Sequence, residues 1–212
     1  MPLWLAQDVH AVALDEDIVV LDAVSDAYLC LVGASALISL GSERSVSADP
    51  VAAETLREAG LVGPHPSGAT RPIPPKPTID LPDAARQAQG RELRAAAWAG
   101  AATAIDFRRR SFRQLLARAG QRPPGQAAAP ADEVLAAAAV FMRLRPWSPV
   151  GGACLMRSYY LLRHLRILGF DADWIIGVRT WPFMAHCWLQ VGAVALDDDV
   201  ERLTAYTPIL AV

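Results

Sequence analysis

Cys154, His186 and Asp198 are the residues whose types and order in this 212-residue chain suit covalent chemistry. A cysteine attacks a carbonyl as its thiolate, a histidine takes and returns the proton, and a carboxylate orients and charges the imidazole. Cys154 lies in "SPVGGACLMRSYYLLRHLRILG". Pro149, Gly151 and Gly152 keep the chain non-helical there, ahead of a run that is strongly helical and stops at Gly169. Cys154 is therefore expected near the first turn of a helix. Unpaired N–H groups and the helix dipole favour a thiolate at that place and could hold an oxyanion. Leu155, Leu162 and Leu165 can bury the helix and fix the sulfur.

His186 and Asp198 fall in "MAHCWLQVGAVALDDDVERL". "HCWLQV" and "VALDD" flank Gly192-Ala193, a hairpin signal. A three-residue loop at 191–193 puts His186 opposite Asp198. A two-residue loop pairs His186 with Asp199 and leaves Asp198 diagonal. Asp197 points away from Asp198 in a regular strand. The orienting carboxylate thus depends on register, which a bulge would change. Cys187 follows His186 and is expected on the opposite, packed face as a structural residue, and Cys30 in "YLCLVG" as a buried small one. His164 inside the helix, His10 near the N-terminus and His65 among prolines are weaker candidates.

Elements on both sides must hold these residues. "HAVAL" and "IVVLD" flank "DED" as strand, turn and strand, and "AYLCL" adds a third strand. A helix over 34–40 is expected next. Asp49 as cap, Pro50 in the first turn and Gly60 as terminator frame a helix through "PVAAETLREAG". Residues 1–62 read as a compact α+β binding module. Residues 63–82 are a Pro-rich linker, extended and stiff, excluded from helix or central strand. Residues 83–212 form the second part. Its stretch 84–119 reads mostly as helix, with Ile105, Phe112, Leu115, Leu116 and Ala119 on the core face. "QRPPGQAAAPAD" is a break, a helix spans 133–145, and "ADWIIGV" is a strand.

Charge narrows the partners. Residues 1–62 carry ten Asp/Glu and two Arg, net −8; the remainder carries twelve Asp/Glu and eighteen Lys/Arg, net +6. The asymmetry suits docking between the parts, a basic partner for the first, or simply solvated surface. Three cysteines without a Cys-x-x-Cys pair and four scattered histidines give neither a disulfide framework nor a zinc site. No signal peptide and no eighteen-residue apolar run is present, so a cytoplasmic protein without membrane contact is expected.

Residues 150–208 resemble the leader peptidases of lasso-peptide biosynthesis, the B proteins, whose fold is a transglutaminase-like (papain-like) cysteine protease. The resemblance rests on "ACLMRSYYLLRHLRILGFDADWIIGV", "FMAHCWLQVGAVALDD" and "YTPI". It implies a Cys154–His186–Asp198 triad. That family often has a small residue at Cys187 and an asparagine at Asp197. Residues 1–62 resemble the peptide-recognition element of unsplit B proteins, a winged helix-turn-helix-like, PqqD-like module. This implies that the leader of a ribosomally made precursor adds as a strand beside Ala27, Tyr28, Leu29, Cys30 and Leu31. The third helix of that module, with Val51, Thr55 and Ala59, would wall the groove. The acidic balance speaks against nucleic acid as its ligand.

The implied partner is an asparagine-synthetase-like macrolactam synthetase. ATP would be required through that partner, since no phosphate-binding glycine loop exists here. No cofactor or metal is expected on this chain. Two alternatives stand beside leader hydrolysis: a transglutaminase-class acyl transfer to an amine, and a non-catalytic scaffold that delivers the precursor.

Overall fold

The computed structural model of the chain describes residues 2–68, 71–83, 86–121, 131–148 and 150–212. Most of the expected break "QRPPGQAAAPAD", and Pro149, lie outside these residues.

The N-terminal part opens with strand β1 (Leu3–Leu5) and a meander of β2 (Val9–Leu14), β3 (Asp17–Asp22) and β4 (Ala27–Leu31). Asp15 takes a positive φ in the two-residue turn that pairs Leu14 with Asp17. Residues 34–40 are not a helix. Gly33 is left-handed, Ala34–Ala36 form one 3-10 turn, and β5 (Ile38–Leu40) follows because Ile38 is buried and Ser39 faces solvent, a period of two. β5 pairs with β6 (Ser45–Ala48), which pairs with β1. Helix α1 (Pro50–Glu58) starts where expected: the Asp49 carboxylate accepts from the N–H groups of Val51 and Ala52. α1 is the one α-helix of this part among the described residues, where the resemblance implies three.

The proline-rich stretch packs along the C-terminal part. After β7 (Val62–Gly63), Arg71 donates to the carbonyl of Val212 and pairs with Asp173, and Gln190 donates to the carbonyl of Pro75. β8 (Ile79–Asp80) then joins a sheet at its edge, the place a Pro-flanked strand can occupy.

Expected as mostly helix, 84–119 is two helices. Between α2 (Gly90–Arg109) and α3 (Phe112–Gly120), Arg110 is extended and Ser111 with Gln114 forms a reciprocal cap. Phe112, Leu115 and Ala119 are buried as expected, but Ile105 is exposed. α2 turns Ala95, Ala96, Ala99, Gly100 and Thr103 inward instead, because small residues let it lie close against α5 (Cys154–Ile167). Buried Asp106 ties the helices together, accepting from the Tyr159 hydroxyl at 2.8 Å and from Arg110 at 2.8 Å. α4 (Ala131–Leu144) buries Val134, Ala138 and Phe141. The sheet behind these helices runs β12-β9-β10-β11-β8, with β9 (Asp173–Arg179), β10 (Met184–Val191), β11 (Val194–Ala195), short helix α6 (Val200–Leu203) and β12 (Thr207–Ala211).

The two parts share a core. Ile18 and Val20 of β3 face the N-terminal core with Leu3, Val46 and Leu56. Their alternates Val19 and Leu21 face Ile176, Val178, Cys187 and Leu210 of the C-terminal sheet. This is why β3 is buried along both faces. Burying Val19 and Leu21 completely contributes on the order of 1.5–3 kcal/mol each. The Asp8–Arg113 ion pair, at 2.8 Å, joins the acidic part to the basic one.

Candidate active site

Cys154 is the first residue of α5. Gly152 just before it has φ 144°, and a Cβ there would lie 2.9 Å from Met156 Sδ, so glycine lets the chain enter the helix tightly. Ala153, at the N-cap, has no side chain to cap the helix. No side-chain oxygen therefore caps the first turn of α5, and among its N–H groups that of Met156 donates to the Ala153 carbonyl at 3.1 Å.

His186 comes from β10, opposite Gly177 of β9. The slot is built around that glycine. A Cβ on Gly177 would meet the Trp188 ring at 2.7 and 2.9 Å and Tyr206 Cβ at 3.2 Å. The imidazole packs on Tyr206 at 5.1 Å and Trp188 at 6.4 Å between ring centroids. Its Nε2 lies 2.5 Å from Asp198 Oδ2, which leaves Nδ1 free to interact with Cys154. The chain thus brings His186 and Asp198 into a direct hydrogen bond and sets Cys154 beside the imidazole.

The register is that of the two-residue loop: Val191 pairs with Val194 and Gln190 with Ala195. Continued as a ladder, it would set Asp199 opposite His186. The ladder stops instead at Ala195, because the Asp197 carboxylate takes the Leu189 N–H at 2.8 Å. The chain bends there and Asp198 swings to the histidine. Asp199 caps α6 by accepting from the Glu201 N–H.

The electrostatics favour a charged pair. Burial alone would pull His186 down, but the hydrogen bonds to Asp198 and Cys154 outweigh it and raise the imidazole from 6.5 to about 9. The Cys154 thiol is lowered to about 4. A hydrogen bond from the Cys187 thiol contributes most, burial opposes it, and His186 and the Cys187 N–H add to the lowering. Burial pushes the neighbouring Asp197 up to about 7.

The remaining candidates separate cleanly. His164 is fully buried against Phe141 and lowered to about 4 by burial, a neutral core histidine. His10 is likewise lowered to about 4 by burial, aided by Arg44, and His65 is exposed. Cys187 is buried as expected and packs in one cluster with Cys154, whose ionisation it favours. Cys30 is half-buried, beside Asp17. Among the described residues, no group of three or more His, Cys, Asp and Glu could hold a metal ion, and no helix is long and apolar enough to cross a membrane.

On the N-terminal part, β4 pairs only with β3, so among the described residues its outer edge is unpaired. Val51 and Thr55 of α1 and Ala59 at its C-terminal cap are exposed. Leu31 packs on the same core as Ala52 of α1, and Leu29 shares its side of the strand. Tyr28 and Cys30 point the other way, into the core shared with Cys154 and Cys187. Their side chains therefore do not line an α1 groove. Tyr28 meets Phe183 at 5.6 Å, and Trp181 Nε1 donates to Asp17 at 2.9 Å, so the β9–β10 loop rests on the meander. Sequence reasoning missed Trp188, Tyr206 and Gly177 around the imidazole. Two signals were present: Trp188 is two residues from His186 on one strand, and Gly177 interrupts the apolar run "DWIIGV".

Comparison with known proteins places the C-terminal part in a family. Microcin J25-processing protein McjB of Escherichia coli is 47% identical over 45 residues, 21% of this chain and 22% of that protein. The match thus spans about a fifth of the length of this curated relative. No solved structure matches. Residues 97–211, more than half of the chain and the part that holds Cys154, His186 and Asp198, match the transglutaminase-like superfamily, and the chain belongs to that superfamily.

Proposed function

We propose that the protein is the leader peptidase of a lasso-peptide pathway, a cysteine peptidase that binds a precursor's leader and hydrolyses the leader–core bond. The observation that carries this reading is the His186–Asp198 pair set beside Cys154 at the start of α5. The superfamily membership and the similarity to a microcin-processing protein support it.

In this reading the Cys154 thiolate attacks the scissile carbonyl, and the first N–H groups of α5 receive the developing oxyanion. The imidazolium of His186 gives its proton to the departing core amine, and the leader remains as a thioester on Cys154. The neutral imidazole then takes a proton from water, which attacks the thioester and releases the leader acid. Asp198 holds the ring and its positive charge throughout.

Residues 1–62 serve as the PqqD-like, winged-helix-like recognition element, 63–82 as the linker and 83–212 as the peptidase domain. The leader adds to β4. Residues 17, 19 and 21 turn their amides to β2, so Ala27, Leu29 and Leu31 bond to β3. The amides of Tyr28 and Cys30 are left for the incoming strand, while Leu29, Leu31, Val51, Thr55 and Ala59 face its side chains. A macrolactam synthetase takes the freed core amine and brings the ATP requirement; the peptidase itself works in the cytoplasm without a bound cofactor.

The test is mass spectrometry of the cognate precursor with wild-type and Cys154→Ala protein, synthetase and ATP supplied. Cleavage at the leader–core junction by wild type alone is expected. Equal processing by both would make the chain a delivery scaffold. A covalent peptide–amine product would make it a transferase.

A further inference from the structure

Cys187 is placed unlike a packing residue. In the C-terminal sheet, Trp174 exchanges main-chain hydrogen bonds with Val212, so the even residues of β9 serve β12 and the odd ones serve β10. The partners of those odd residues are Met184, His186, Trp188 and Gln190. Odd residues of β10 therefore turn their amides to the other flank. Leu189 does so visibly: its carbonyl accepts from Leu196 and its N–H donates to Asp197. β11 covers only Gln190 and Val191. At Cys187 the flank is open, and the start of α5 fills it.

The thiol of Cys187 is aimed by a second route. Trp174 Nε1 donates to Ser158 Oγ at 2.8 Å; Ser158 Oγ donates to the Cys154 carbonyl at 2.9 Å and lies 3.6 Å from Cys187 Sγ. Ser158 and Trp174 are fully buried, and Cys187 is 4% exposed. One buried hydroxyl thus ties the main chain of Cys154 to the sulfur of Cys187.

We propose that Cys187 is a positioning residue, whose main-chain N–H and thiol both donate to the sulfur of Cys154 and hold it as a thiolate aimed at the substrate carbonyl. The inference rests on Cys154 being the nucleophile of the function proposed above. Cys187 can keep its proton for this purpose: the hydrogen bond to Cys154, together with burial, pushes its thiol well above the ordinary range. His186 alone would leave the sulfur held from one direction. With Cys187 it is held from both faces of β10. The other ionisable groups around the pair are Asp197 and Asp198, Arg157 on α5, and the Tyr28 phenol brought by β4.

The test reads the Cys154 thiolate without any peptide substrate. The full chain is alkylated with iodoacetamide across pH 4–9, and modification of Cys154 is followed by peptide mass spectrometry. Wild type is expected to titrate near 4. Cys187→Ala should raise the midpoint by about 1–2 pH units, the worth of one hydrogen bond to a charged group. Cys187→Ser keeps a donor at similar volume and should recover at least half of that shift. Ser158→Ala should raise the midpoint by less than Cys187→Ala. An unmoved midpoint in Cys187→Ala overturns the proposal. So does a Cys187→Ser midpoint equal to that of Cys187→Ala, since packing alone would then be responsible. Failure of the peptidase reading is separate: the thiolate would titrate as stated while the precursor stayed uncut.

Discussion

Replacing Asp198 by asparagine removes the charge beside His186 while keeping the shape of the side chain. In the proposed mechanism the wild-type pair is competent between the two titrations, above about 4 where Cys154 ionises and below about 9 where His186 loses its proton. A carboxylate at 2.5 Å is expected to hold an imidazole pKa up by about 1–3 units, so the basic limb in Asp198→Asn should fall to between about 6 and 8. At pH 8 the wild-type imidazolium is about 90% populated, and the variant's between about 50% and 1%. Protonation alone then costs about 2-fold to about 90-fold in kcat/KM at pH 8, but no more than about 2-fold at pH 6. The assay is kcat/KM for precursor cleavage from pH 5 to pH 10, with Asp199→Asn as control. That control keeps an oxygen for the Glu201 N–H at the α6 cap, where asparagine serves as well as aspartate, and should leave the limb in place. A basic limb still near 9 in Asp198→Asn would refute the charge argument, even if activity fell uniformly. The same pKa is a stability statement. His186 holds its proton more tightly in the folded protein, by roughly 3 kcal/mol for a rise from 6.5 to about 9. That contribution is complete below 6.5 and is lost as pH climbs through about 9.

Three further substitutions test other parts of the framework. Gly177→Ala puts a methyl into the Trp188 ring and should cost about 1–3 kcal/mol in denaturant melts while lowering turnover by displacing the imidazole; a neutral melt with normal turnover would show that the slot can relax. Asp197→Asn keeps the acceptor for the Leu189 N–H and removes a carboxyl that burial pushes up to about 7. The folded protein binds that proton more tightly than the unfolded chain, so stability from this group falls as pH rises from about 4 through about 7; the variant should melt higher than wild type at pH 8 and show little difference at pH 4. Cys30→Pro removes an N–H from the open edge of β4 without touching the β3 ladder; leader affinity measured by calorimetry should fall about tenfold, the worth of about one hydrogen bond, with melting little changed.

The placement of the candidate site was legible where local pattern decides it. Glycines before an apolar helix put Cys154 at a helix start, and alternation in "HCWLQV" separated His186 from Cys187. Register was not legible, because it turned on a side chain. The Asp197 carboxylate takes a main-chain N–H that a ladder would have used, and the chain bends at that point. Nor did helical periodicity find the face of α2. Ile105 fits an apolar stripe, but the close approach of α5 selects alanine and glycine, and isoleucine is left in solvent. The 34–40 segment misled for the related reason that Ile38 and Leu40 satisfy a strand as well as a short helix. Pairing with β6 then settled the outcome.

The buried meander explains how the proposed recognition and chemistry can share one packed framework. Side chains of β4 alternate between two cores: Leu31 packs on the N-terminal core with α1, while Tyr28 and Cys30 pack on the core that also receives Cys154, Cys187 and Leu155. The β9–β10 loop closes the arrangement through Trp181 on Asp17 and Phe183 on Tyr28, and the chain passes from Phe183 into β10 and reaches His186 in three residues, about 10 Å of extended chain. Any strand added to the outer edge of β4 would therefore be held within a few residues' reach of the thiol, by the same framework that positions the imidazole. A shift of the meander on the C-terminal sheet would move both together. This gives the fully buried Val19 and Leu21 a part in geometry as well as in stability.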